Sequence, residues 1–393
     1  MSKLLLVLLL CCAVPAQAHD MNRMWQDALT RQPLAVGAAF DANGRLWLAS
    51  VRDGHVWVSH SDDHGAHFSQ AVSVNPEAEH IAADGENRPK IVAAGARVYV
   101  SYTQSLDTPF AGNVRFSRSL DGGLHFEPPL TVNDHREAVN HRFEAMAVDA
   151  QGRIHLAWLD KRDAQAAKAR GGKFTGLSVY HAVSDDEGKS FQANRRAAEH
   201  SCECCRIAMA NDKDGVPVIA WRHVFGQNTR DHALLRLEGG REPVRATFGE
   251  WQVDACPHHG PALAIAADGV YHLAWFNNSA TQRGLFYAQS ADQGGHFSAP
   301  LPFGASQASH PAVLSQGQRV YLAWKEFDGE HTHIMAMDSG DGGKSWSAPR
   351  SVASTGDQSD HPQLLWDGAQ ARLSWNTLKE GYRLLPLAEG RAQ

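Results

Sequence analysis

The sequence predicts an all-β chain folded as a ring of seven four-stranded antiparallel blades, a β-propeller. Three observations carry that expectation. The pattern Ser-x-Asp-x-Gly-x-x-aromatic occurs at Ser61–Phe68, Ser119–Phe126, Ser184–Phe191, Ser290–Phe297 and Ser339–Trp346. Seven apolar runs begin at Pro33, Pro89, Phe143, Arg206, Pro261, Pro311 and Pro362. A second strand follows each turn, as in Leu46–Ala49, His155–Trp158, His272–Trp275 and Tyr321–Trp324. Units of roughly 40–50 residues with four short strands each are the sequence mark of propeller blades.

Each repeated element has a local cause. In the eight-residue pattern, the Asp side chain accepts backbone N–H groups and Gly permits a positive φ, which makes a tight turn. The aromatic opens the next strand and faces the core. The turns Asp41–Gly44, Asp149–Gly152 and Asp212–Gly215 close the hairpin between the first and second strands. The gap between patterns at 184 and 290 spans two units, so one copy is missing. The Arg230–Phe248 hairpin is expected to supply the outer strands of that fourth blade without the patterned turn. The seventh unit runs out after Tyr382–Leu387, and Trp25–Leu29 is expected to complete it from the N-terminus. Such closure would remove exposed sheet edges.

Residues 1–18 read as a cleaved leader. Lys3 precedes the apolar Leu4–Leu10, and Ala16-Gln-Ala18 is a small-residue cleavage site. The apolar run is too short to span a bilayer, so no membrane span is expected. Residues 19–393 then form one propeller domain, periplasmic or secreted. The net charge of −6 gives no reason to expect a nucleic-acid partner. An insertion from Asp160 to Gly176, rich in Lys and Arg, reads as a solvated loop or an anion-attracting rim.

In a four-stranded blade, the patterned turns lie on one face and the inner strands begin on the other. Those beginnings carry Arg31, Arg88, His141-Arg142, Cys202-Glu-Cys-Cys-Arg206, Cys256-Pro-His-His259, Ser309-His310 and Asp360-His361. All four cysteines outside the leader, Cys202, Cys204, Cys205 and Cys256, fall in this register. Two readings compete. An even number of cysteines in an exported protein usually pairs as disulfides. Alternatively, Cys202, Cys204, Cys205, Cys256, His258 and His259, with His141, form a metal site of thiolate and imidazole donors. Such donors suit Cu(I) first and zinc second, and copper there would open a redox role. His19, freed by cleavage, would be a further chelating terminus, with Met21 and Met24 beyond it.

The repeated turn resembles the Asp box of sialidases and related propellers over nearly the whole chain. That resemblance implies a six-bladed fold as the second choice and an exo-sialidase hydrolase as the alternative function. Arg31-Gln-Pro33 stands where that family has its first substrate arginine, with Gln for Ile. Asp53 is then the acid/base residue, and Arg88 and Arg142 complete a carboxylate clamp. Arg88, Arg142 and Arg206 together form a candidate anion site. No Tyr–Glu nucleophile pair is evident, and Tyr102 stands without a sequence partner. A third function class is a scaffold that binds a periplasmic protein partner or a glycan.

Overall fold

Residues 30–240 and 242–387 are described by the structure, a computed structural model. The leader, His19, and the closing strand expected at Trp25–Leu29 lie outside the described residues. The rest is organised as antiparallel meanders. The first consists of Gly37–Phe40, Leu46–Arg52, His55–Ser61 and Val72–Ser73. Similar units follow around second strands Arg97–Ser105, Ile154–Asp160, Pro217–Phe225, Tyr271–Asn278, Arg319–Phe327 and Ala371–Thr377. The third and fourth units join in one eight-stranded sheet, through the pair Ser201↔His223. In the last unit, three strands fall within the described residues.

The core lies between consecutive units. Trp47, Trp158, Trp221, Trp275, Trp324 and Trp375 sit in the second strands and are fully buried. Trp47 packs with Val98 and Tyr102 of the next unit, and Trp158 with Phe116 of the preceding one. Val36, Ala38 and Leu46 pack on Leu365, which brings the first unit against the last. Asn376 Nδ2 donates to Leu34 O at 2.8 Å and Gln363 Nε2 to Ala38 O at 2.9 Å across the same junction. Truncating one such tryptophan to Ala removes about 3–5 kcal/mol.

The patterned turn has the geometry its residues require. Ser119 Oγ donates to Asp121 Oδ1 at 2.8 Å and accepts from Gly123 N at 2.9 Å. Asp121 Oδ1 then accepts from His125 N at 3.0 Å. The Ser-to-Gly bond recurs at Ser61, Ser184, Ser290 and Ser339. Gly123 has φ +82°, and a Cβ there would lie 2.7 Å from Trp47 Cζ3 of the preceding unit. The fourth unit instead uses the pair Thr229–Arg236 and Val244–Arg245, as the missing copy predicts.

The insertion after Asp160 is not an open loop. Arg162–Ala169 form a helix. Asp163 accepts from Ser178 Oγ at 2.6 Å, and Arg162 Nη2 donates to Asp160 Oδ2 at 2.8 Å, so the helix is anchored to its own unit.

The inner strands begin irregularly, and that irregularity builds the axial face. Ile81–Ala82 and Lys90–Ala94 both pair with Arg97–Ser105, so residues 83–89 are looped out between them. Registers shift around Phe143, with φ +62°, and around His310, with φ +50°. Bulges of this kind re-aim side chains and gather at functional sites.

Candidate functional site

Cys202 N donates to Arg222 O at 2.8 Å, continuing the pairing of Ser201 with His223. The chain then leaves the sheet and rejoins it at Ala208–Asn211. This excursion turns three thiols inward, and Cys202, Cys204 and Cys205 are all buried. The Cys202 sulfur lies 3.5 Å from that of Cys205 and 4.0 Å from that of Cys204. Cys204 also belongs to a second trio with Cys256 and His258, whose ligand atoms lie within 4.8 Å of one another. Cys256 and His258 are exposed, so the buried thiols reach solvent through them. All four cysteines stand as free thiols in the structure.

The charges around these sulfurs are unequal. Cys202 shares S–H bonds with Cys204 and Cys205, in which either sulfur can donate, and accepts a 3.1 Å bond from Arg230 Nη1. Those bonds pull its thiol well below the ordinary value. The bond with Cys202 pushes Cys204 up, and burial pushes Cys205 up. Cys256 is lowered by its bond from Cys204. The arrangement places the sulfur that loses its proton most readily beside an arginine, with further sulfurs able to lose protons to a metal.

His259 does not join the thiols. Its ring stacks on Phe276 at 4.1 Å and on His310 at 4.5 Å, facing the axis. His141 is also elsewhere. Fully buried, it has Nδ1 2.9 Å from Asp160 Oδ2 and its ring edge-on to His135. It ties the first residue of its inner strand to the buried carboxylate that ends the second strand, so it serves the third unit's own hairpin.

The arginines divide. Arg88 donates to Asp360 Oδ1 at 3.1 Å, His361 O at 2.9 Å and Val36 O at 3.1 Å. Arg206 Nη1 lies 2.5 Å from Glu86 Oε1, and Arg206 N donates to Glu86 Oε2 at 2.8 Å. Both guanidinium groups are committed to internal carboxylates, which corrects their assignment to an open anion site. Arg31, Asp53 and Arg142 do share a surface, a cleft of about 450 Å³ lined also by Glu79, His80 and Asp84. Tyr102 lies fully buried near Glu79 and Arg115, its hydroxyl makes no hydrogen bond, and burial pushes that hydroxyl up.

Glu86, Glu79 and His80 are the residues that sequence reasoning missed. Glu86 lies two residues before Arg88 in the looped-out 83–89 segment, and its position ahead of Pro89 was the available signal.

Neither a protein-family model nor a curated protein matches the chain. Among solved structures, an ulvan lyase (a polysaccharide lyase) aligns with TM-score 0.56 and 10% identity over 91% of this chain and 93% of that one. A Hadza microbial sialidase aligns with TM-score 0.51 and 14% identity, over 82% and 71%. A Dyadobacter fermentans protein of unknown function aligns with TM-score 0.52 and 12% identity, over 90% and 97%. At these identities the likeness establishes the fold, a propeller-like all-β architecture of antiparallel four-stranded sheets. No helix of the described residues is long and apolar enough to cross a membrane.

Proposed function

We propose that the chain is an exported seven-bladed Asp-box propeller that binds a transition metal, copper first and zinc second, through Cys202, Cys204, Cys205, Cys256 and His258. The observation that carries this reading is the shared Cys204, which links three buried sulfurs to an exposed thiol and imidazole. Buried free thiols this close favour a soft ion, and Cu(I) tolerates irregular thiolate geometry. Seven inter-unit cores, with the first unit packed on the last, support the blade count. The test is Cu(I) titration of the purified chain against a chromogenic chelator. One ion retained by the wild type and lost in Cys202→Ser and Cys204→Ser supports the site. A chain with its thiols intact that yields all its copper to the chelator rules it out.

A second reading is sugar binding at the cleft of Arg31, Asp53 and Arg142, favoured by two cationic side chains beside Glu79, His80 and Asp84. This is the place for an acidic glycan, with carboxylates available for acid/base chemistry. Sialidase-type turnover through Tyr102 is not expected, because its hydroxyl is buried. Hydrolysis of a fluorogenic sialoside, abolished by Arg31→Ala and by Asp53→Ala, would establish the hydrolase instead.

A further inference from the structure

We propose a second ion site, separate from the thiols, in which Glu86, His310 and His361 hold a borderline divalent transition ion of the zinc type. Their ligand atoms lie within 4.8 Å of one another. The three residues come from three different units: the loop before Lys90–Ala94, the bulge in Ser309–Gln316, and the approach to Gln363–Trp366. No local turn brings them together, so the convergence belongs to the architecture.

The donors are prepared for a ligand. Nδ1 of His310 and Nδ1 of His361 are buried and have no hydrogen-bond partner, and the same holds for Nδ1 of the neighbouring His259. Buried polar nitrogens are normally paired, so several orphans in one place need an explanation. Glu86 is positioned by Arg206 N and Gly260 N, which both donate to Oε2, at 2.8 and 3.0 Å. Oε1, which also accepts from Arg206 Nη1 at 2.5 Å, lies 3.7 Å from His361 Nδ1, too far for a hydrogen bond and close enough to share an ion that competes with the guanidinium. Gly85 lets the Glu86 loop lie against the imidazole, because a Cβ there would fall 2.1 Å from His361 Nδ1. His310 keeps a φ of +50°, a conformation a non-glycine residue holds only when its surroundings impose it.

Two imidazoles and a carboxylate are the donor set of a three-ligand zinc centre with room for water or substrate. Arg206, Arg88 and Lys325 stand nearby and oppose a cation, while Glu86 and Asp360 offset them. Three cations against two carboxylates leave the balance opposed to a cation, so an ion held here binds with modest affinity and exchanges.

The proposal does not rest on the thiol reading, and its test separates the two. Zinc is titrated into the full chain, wild type and with all four cysteines changed to Ser, and followed by native mass spectrometry. Cobalt(II) is then used as the optical probe. One zinc should remain in the Cys-to-Ser chain, with affinity weakened about tenfold or more by His310→Asn and by His361→Gln. Its cobalt form should show visible d–d absorption without a thiolate charge-transfer band. Should the Cys-to-Ser chain fail to fold, the same two His variants are compared with cysteines intact. They should lose the sulfur-free component and leave the charge-transfer band unchanged. Equal zinc stoichiometry and affinity in wild type and both His variants would overturn the site. So would a cobalt spectrum that carries sulfur bands alone.

Discussion

The imidazoles of His310 and His361 lie face to face, with ring centroids 3.6 Å apart and planes 16° from parallel. His259 extends the stack to a third ring. Burial holds all three well below the ordinary imidazole range, His259 at about 3, so the column is neutral at physiological pH.

A side-chain ammonium should be tolerated less well in that column than a neutral group. His310→Lys would bring an ammonium towards Arg206, Arg88 and Lys325, where the nearby Glu86 carboxylate is already paired with Arg206, and a poorly compensated buried charge costs up to about 3–5 kcal/mol. His310→Gln keeps a neutral polar group. Thermal unfolding should show a large loss of Tm for Lys and a small one for Gln. Equal melting of the two variants would refute the account.

Stability should fall with acid in a defined window. Burial holds His181 at about 3 and His272 at about 4. A histidine whose folded value is depressed contributes fully above the unfolded value near 6.5. It loses that contribution as pH falls from there towards the folded value, because the unfolded chain binds the proton first. Each such group contributes a slope of up to about 1.4 kcal/mol per pH unit in that range. Urea midpoints should therefore drop between pH 7 and pH 4.5. His272→Gln, which removes the group bonded to Tyr287 Oη at 2.7 Å, should flatten the drop. An unchanged slope in that variant would count against it.

The Ser-x-Asp-x-Gly turn should rank its own substitutions. Ser119→Ala leaves the buried Gly123 N–H without its acceptor, at about 1–3 kcal/mol. Gly123→Ala adds a Cβ at positive φ and a collision with Trp47, and should be worse. Denaturant unfolding of the two variants reads the order directly, and the reverse order would show that the turn is not held by packing.

Arg88 and Arg31 should behave oppositely. Arg88→Ala strands the buried Asp360 carboxylate and should lower stability by about 3–5 kcal/mol. Arg31 is exposed at the cleft rim, so Arg31→Ala should leave the melting temperature unchanged. If the cleft binds an acidic sugar, Arg31→Ala weakens that binding in calorimetry. A stable Arg88→Ala protein would show that the guanidinium is not part of the frame.

What could be read from the chain was what repeats. The box spacing, the seven apolar starts and the hairpin that replaces the missing box all follow from short-range pattern, and their geometry was foreseeable. The cysteine register was visible for the same reason. Pairings between units were not. Arg88 meets Asp360 across 272 residues, and Arg206 meets Glu86 across 120. Nothing in the local pattern separates those arginines from Arg31 and Arg142, which reach the cleft. His259 differs from His258 by one position, yet in the irregular stretch before Ala262–Ile265, where His258 takes φ +51°, one ring stacks on His310 and the other lies by the thiols. Glu86 was passed over because its role exists only once the loop before Pro89 is folded against the opposite side of the axis.

The boxes also give the ring a direction. The glycine of each box presses on the unit before it: Gly123 on Trp47, Gly188 on Phe116, Gly294 on Leu234, Gly343 on Tyr287, and Gly65 on Leu384 of the last unit. Every unit with a box therefore shields the predecessor, and none shields its successor in this way. The fourth unit has no box, and its outer turn leaves Gly239 and Gly240 with nothing in reach of an added Cβ. New chain ends introduced there would uncover no aromatic ring, whereas ends cut at Gly123, Gly188 or Gly343 would uncover Trp47, Phe116 or Tyr287. The tolerance of this fold to circular permutation is thus uneven around the ring, with its weakest dependence at the turn where the repeat was lost.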